Sequence, residues 1–483
     1  MATINSAISL ITSALNADQS ALNTVANNVA NANTTGYTRE ISNFEENSTV
    51  LINGASYGSG VTNTGATSIR DRVLEQRLAQ QQQLSSASST RLTALDTVQA
   101  LFTPDSGSST STAGDIGSDL TSFFDSFSSL EANPTNSALR QDVLSSASTL
   151  AGDISNAATS LTSQQTSIDQ EAAGLTTQIN SLTKSIAQLN QQIQSLSPNA
   201  DAGTLEDQRQ QDIQQLSQLI GINQITTENN GLSITTTSGQ LLVSQATSYQ
   251  VTTGTSGGLT HFYINGTDVT TQLASGGGSL GGYLTVRDQD IPSALSALDQ
   301  LAYSVSTQVN ALNNEGTDLN GDQGTGTNSS GVTGTGTTAL YIFNEPTQVS
   351  GSAISMKVVM TDPNEIAAAA FGSGTGDNSN ALALANLATS SIVSGATPSN
   401  YYSEFVSQLG STVSQVSTDS TAQTASVTQL QSQVSSLSGV SLNDEAASMQ
   451  QLERAYQAAS EVFTILNQVM ASAVNLGVQT AVS

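Results

Sequence analysis

The sequence predicts a mainly α protein with a small β domain inserted in it (α+β). It reads as a long helical bundle or coiled coil whose N- and C-terminal helices pair at its base. Three observations carry this. Heptad-spaced apolar seams occupy both ends of the chain, leucines seven apart fill its middle, and short β-type runs separated by Gly, Asn, Ser and Thr follow those leucines.

At the N-terminus Ile4, Ile8, Ile11, Leu15, Leu22, Val25 and Val29 step by fours and threes, with Asp18 breaking the stripe. That is one face of a helix, ended by the Asn and Gly residues between Asn31 and Gly36. An extended, Gly-dotted stretch from Tyr37 to Ile69 follows, and then a helix from Arg70 to Leu101. Pro104 opens a polar loop reaching to Gly117. Two short helices, Ile116–Leu130 and Leu139–Ile154, are expected on either side of Asn133-Pro134.

Leu161, Ile168, Leu175, Leu182, Leu189 and Leu196 stand seven apart, with Ile179, Ile186 and Ile193 between them. Pro198, Asn199 and Gly203 turn the chain into a second helix at Leu205, so an antiparallel helical hairpin is expected. The β runs are Ile222–Thr227, Leu232–Thr237, Leu241–Ser244, Tyr249–Thr253, His261–Ile264 and Val269–Leu273. Asn230-Gly231 and Asn265-Gly266 are hairpin signals. Helix is expected again from about Ile291, a brief β element at Ala339–Phe343 and Ile354–Val359, and helices from Pro363 onward.

The C-terminal seam is Leu442, Met449, Leu452, Tyr456, Ala459, Phe463, Leu466, Met470 and Ala473, with Asn443 as candidate N-cap. Neither end hides its stripe alone, so the ends are expected to pair with each other or with other subunits. Isolated helices of this kind are often disordered until they dock. Three units follow: 1–36 with 441–483 as a terminal assembly domain, disordered in the monomer; 37–221 with 291–440 as a long-helix rod; and 222–290 as the β insertion.

Composition narrows the function. With 11 basic and 38 acidic residues in 483 the net charge is −27, so no clustered cations stand ready for nucleic acid or an anionic membrane. Cys is absent and His261 is the one histidine, which removes thiolate chemistry and leaves a zinc site or a catalytic triad resting on one residue. A structural or interaction protein is expected, without cofactor, metal or enzymatic activity. No apolar run reaches membrane-spanning length, and the first basic residue is Arg39, which argues against a Sec-type signal. His261 reads as a solvated strand residue. Asp318, Asn320 and Asp322 read as an ordinary turn, because Gly324 and Ser329 miss the positions of a calcium loop. Gly276, Gly278 and Gly281 match a nucleotide fingerprint with no βαβ unit around it. The Asn cluster before Gly36 is either a polar helix end or an inter-subunit contact.

The segment Val25-Ala-Asn-Asn-Val-Ala-Asn-Ala-Asn-Thr-Thr-Gly-Tyr37 resembles the N-terminal signature of the bacterial flagellar rod, hook and hook-associated axial proteins. Its signature positions here are Asn27, Asn28, Ala30, Asn31, Thr35, Gly36, Tyr37 and Arg39. Gly36-Tyr37-Thr38-Arg39 looks like the hook-associated variant. So do the segments 205–221 and 278–288, and Ser438–Ala447 with Ala455–Ala459. The resemblance implies an extracellular structural adaptor of the flagellum, exported unfolded through the flagellar type III channel, that assembles at the distal end of the hook and joins it to the filament. It implies as partners further copies in a ring, the hook protein, a neighbouring hook-associated protein on the filament side, and a cytoplasmic chaperone before export. Some members carry a larger β insertion after the Gly/Asn loop, where this chain has only about Ala339–Met360. Rival readings are another axial subunit (hook, rod or flagellin-like), a cell-surface stalk or adhesin, and an enzyme grafted on the β domain.

Overall fold

The structure, a computed structural model, describes residues 2–52, 55–102, 115–196, 202–226, 231–325, 336 and 339–480. Pro104 and most of its loop, Pro198-Asn199, Asn230 and Ser329 lie outside them. Helix α1 (Ala2–Asn31) leads into a two-stranded β arm. Strand β1 (Glu40–Glu46) pairs antiparallel with β4 (Val61–Ser68), and β2 (Val50–Ile52) with β3 (Ala55–Tyr57). Helices α2 (Arg72–Ala100), α3 (Ile116–Ala132), α4 (Ser137–Ser195) and α5 (Thr204–Leu219) follow. Helix α2 starts where the Asp71 carboxylate accepts from the amides of Val73 and Leu74, and α4 where Asn136 accepts from Ala138 and Leu139.

Helix α4 corrects one expectation. It runs 59 residues, roughly 90 Å at helical rise, so Leu139–Ile154 is no separate short helix. The apolar stripe through Val143, Leu150 and Leu161 continues in phase into Ile168, Ile179 and Ile186, and no proline interrupts it. One helix therefore serves two cores. Its first half packs with α3 and the helices that return later. Its second half lies between α5 and the β strands.

The strands are β5 (Ile222–Thr226), β6 (Leu232–Thr236), β7 (Leu241–Ser244) and β8 (Thr247–Ser248) in one antiparallel meander, then β9 (Val251–Ser256), β10 (Leu259–Ile264) and β11 (Thr267–Asp268) in a second. Asn265 and Gly266, at φ 51° and 78°, form the tight β10–β11 turn that the Asn-Gly pair predicts. Val269–Leu273 is not a strand. It falls largely in the short helix α6 (Thr270–Ala274), because Asp268 accepts from both the amide and hydroxyl of Thr270 and starts a turn.

Helix also resumes earlier than Ile291. Helix α7 (Gly278–Thr285) and a π turn (Val286–Asp290) run straight into α8 (Ile291–Glu315). The glycines of α7 let it sit close against α2. A Cβ on Gly282 would stand 2.6 Å from the Ala87 carbonyl oxygen. On the π turn Arg287 is buried. It donates to Asp169 of α4 (2.6 Å), to the Thr260 carbonyl (2.7 Å) and to Asp288, tying sheet to rod.

After α8 come α9 (Ser352–Ser355), a 3-10 turn (Pro363–Glu365), α10 (Ser379–Asn386), α11 (Pro398–Ser438) and α12 (Leu442–Thr480). The β element expected at 339–343 and 354–359 is reduced to one bridge, Phe343 with Val358, and Ile354 lies in α9. Side chains of α8 replace the ladder. Asn310 exchanges two hydrogen bonds with the Phe343 backbone, Asn313 donates to Leu340 O, and Asn314 accepts from Leu340 N. Buried amides thus satisfy a backbone that no neighbouring strand reaches.

Where α3 meets α4, Asp119 faces Asp153, with Asp115 behind it. Burial first, then the hydrogen bond and charge of Asp153, push the Asp119 carboxyl up to about 7. A carboxyl raised on folding adds stability that is complete below its unfolded value near 4 and is lost as pH rises through about 7. The melting temperature is expected to fall between pH 4 and 8, and Asp119→Asn to flatten that fall. Equal slopes in calorimetry of both proteins would count against the pairing.

Candidate assembly interface

Asn28, near the end of α1, meets Glu445, near the start of α12, so the two helices run antiparallel along one another. Ala17, Ala21, Val25 and Asn28 are buried. Ile4, Ile8, Ile11, Leu15 and Leu22 are half-buried, as are Met449, Leu452, Phe463, Leu466 and Met470. Val29, Leu442 and Tyr456 are left exposed. The most deeply buried positions of α1 include two alanines and an asparagine, which an apolar pattern skips. They lie under the β arm as well as α12: Ser42 donates to Thr24 Oγ1 at 2.9 Å. A second apolar stripe on α12, Val462, Ile465 and Val469, faces solvent one position before the seam.

The signature residues form a polar joint at the foot of this pair. Gly36 stands at φ +79°, the left-handed region that favours glycine, and turns the chain under α1. Asn28 is then enclosed. Its amide donates to Glu40 O (2.8 Å) and Glu445 Oε2 (3.1 Å), and its oxygen accepts from the Tyr37 hydroxyl (2.8 Å) and Glu40 N (3.0 Å). Arg39 donates from Nε to Glu445 Oε1 at 2.6 Å, and the Glu445 side chain is 1% exposed. Burial, with the carboxylates of Glu40, Asp207 and Glu445, pushes the Tyr37 hydroxyl up to about 12, so it stays a donor. Asn28 is thus bonded within its own chain. Asn31 donates to Asn27 Oδ1 at 2.8 Å, and Asn27, Ala30 and Thr35 remain exposed.

A second cluster fixes the joint to the rod. The Thr38 amide donates to Asp207 Oδ2 at 3.0 Å, Arg70 pairs with Asp207, and Glu75 and Glu206 stand within 3.7 Å of the Arg70 guanidinium. Sequence reasoning missed Glu445, Asp207, Arg70, Glu75 and Glu206. One carboxylate in a helical stretch carries no mark of burial until its partner, hundreds of residues away, is placed.

His261 hydrogen-bonds Asp268 at 2.7 Å on the rim of β10. Asp318 accepts from the amides of Asn320 (2.9 Å) and Asp322 (2.7 Å), the geometry of a turn, while Ser329 lies outside the described residues. Gly276–Gly281 leads into α7 beside α2, and no phosphate loop forms there. Among the described residues no group of three or more His, Cys, Asp or Glu is placed to hold a metal, and no helix is long and apolar enough to cross a membrane.

Residues 11–38 match the family described as flagella basal body rod protein, and residues 105–327 the family described as the flagellar hook-associated protein FlgK helical domain. A terminal helix pair locked by this signature, continued into that helical domain, defines a structural subunit of the flagellar axis. Flagellar hook-associated protein 1 of Escherichia coli (strain K12) is 27% identical, over 98% of this chain and 100% of the relative. That of Bacillus subtilis (strain 168) is 26% identical over 96% of each. The first alignment spans 558 positions, so that relative carries segments this chain lacks. The solved structure of the flagellar hook junction protein FlgK from Burkholderia pseudomallei shares the fold. Its TM-score is 0.63 at 20% identity, over 75% of this chain and 100% of that one. Over nearly its whole length the chain is thus similar to flagellar hook-associated protein 1, and over residues 105–327 it matches the helical domain of that protein.

Proposed function

We propose that this chain is the adaptor that assembles at the distal end of the hook and joins it to the filament. The observation that carries this is the base of the molecule: a terminal helix pair with an uncovered apolar stripe, fixed through the Tyr37–Arg39 signature to a long rod. The pair and its flanks (1–36 and 441–483) act as the assembly domain. The rod (37–221 and 291–440) sets lateral contacts, and the β insertion (222–290) faces outward. Neighbouring copies cover the seam residues left half-buried or exposed in one chain, Leu442 and Tyr456 among them.

The partners are further copies in a ring, the hook protein below, a hook-associated protein on the filament side, and a chaperone before export through the flagellar channel. The absence of Cys suits a chain threaded unfolded, since no disulfide can trap it on the way. Immunogold electron microscopy of intact flagella, with antibody to the β insertion, tests the reading. One narrow band between hook and filament is expected. Label along the whole hook or filament would make the chain a bulk axial subunit, and label on the cell body would revive the stalk reading.

A further inference from the structure

We infer that Asn28 and Glu445, braced by Arg39, are the register-determining residues of the terminal helix pair. The apolar pattern alone does not choose a register. Counting outward from the Asn28–Glu445 contact at equal rise brings Val25 to within one position of Met449, Leu15 of Ala459, Ile11 of Phe463 and Ile8 of Leu466. Both seams repeat by heptads. A slip of seven residues therefore brings the same four residues to within one position of Tyr456, Leu466, Met470 and Ala473, apolar again.

The polar joint breaks this degeneracy. In the observed register Asn28 makes four hydrogen bonds and the Glu445 carboxylate receives Asn28 and Arg39. After a heptad slip Asn28 faces Leu452 instead, and its amide and the Glu445 carboxylate both lose their shared bond. A buried amide or carboxylate left without its partner is costly, and a buried polar pair at a seam position is an attested way to specify register. Register matters beyond the pair itself, because it decides which height on the rod the outer stripe of Val462, Ile465 and Val469 presents to a neighbour.

The full chain has no cysteine, so paired cysteines report register cleanly. Ile11→Cys with Phe463→Cys reports the observed register. Ile11→Cys with Met470→Cys reports a slip of one heptad, accommodated by unwinding the first turns of α12. Each pair is oxidised in the otherwise native chain and in an Asn28→Leu/Glu445→Leu background, and linked peptides are counted by mass spectrometry.

In the native background the first link is expected to exceed the second about tenfold or more, and in the leucine background the two are expected within about threefold of each other. The native preference kept unchanged in the leucine background would mean that the short connections to α2 and α11 set the register, and would overturn the inference. So would the absence of the first link from the native chain. Helix content by circular dichroism guards against an unfolded background. If the double leucine chain is unfolded, Glu445→Gln alone, which keeps the shape and removes the charge paired with Arg39, is expected to raise the slipped link at least threefold, and no rise would count equally against the inference. None of these readouts depends on where the protein sits on a flagellum.

Discussion

Ile465→Asp is expected to leave the isolated chain folded with unchanged melting and to abolish its polymerisation onto hooks. Ile465 is 53% exposed and lies on the face of α12 turned away from α1, so in a single chain the aspartate meets water. Surface changes of that kind alter stability within about ±0.5 kcal/mol. In the proposed assembly a neighbouring copy covers the same position. Burying an unpaired carboxylate against an apolar neighbour costs several kcal/mol per copy. Leu466→Asp and Leu22→Asp, in the half-buried seam, are expected to block assembly too, but by loosening α12 from α1 while the rod melts as before. Co-sedimentation of each variant with purified hooks, beside calorimetry of the free chain, measures both halves. Normal assembly by Ile465→Asp would show that the outer stripe faces solvent in the assembly as well.

Phe123→Ala is expected to produce the largest loss of stability among these variants. Phe123 on α3 is fully buried, and its ring centroid lies 5.1 Å from Phe124, 5.3 Å from Phe127 and 5.5 Å from Phe343. It joins α3 to the irregular segment held by the α8 asparagines. Truncating a buried phenylalanine costs about 3–5 kcal/mol, from lost transfer energy and the cavity left behind. Against a typical total of about 5–15 kcal/mol, the rod is expected to melt roughly 10 °C lower. The α1–α12 pair stands outside this core, so assembly of the folded fraction at low temperature is expected to persist. A shift of under about 2 °C would mean the aromatic cluster packs differently.

The elements that periodicity exposes were legible. The terminal helices, α2, α3, α5, α8 and α11 fall close to where the apolar spacing puts them, and five of the six β runs are strands. The misses share a cause. Val269–Leu273 reads as strand by composition, but an Asp268–Thr270 cap makes it helical. Gly278–Gly282 precedes the helix expected from about Ile291, yet those glycines lie in α7 and serve a close helix crossing. The N-cap of α12 is Ser441, whose hydroxyl accepts from Asp444 N, and not Asn443. Each outcome was decided by one contact that outweighed local preference.

Composition, the heptads at both ends and the Asn-Gly-Tyr signature were enough to establish a cysteine-free, helix-dominated axial subunit, since these are properties of residue type and spacing along one chain. The folded molecule alone decided that Asn28 points into its own chain, that Glu445 and Asp207 are among its buried charges, and which stripe of α12 stays exposed. Those facts depend on pairs such as Asn28 with Glu445, 417 residues apart. Electrostatics and burial act through space, and no periodicity along the sequence records which distant residue arrives opposite.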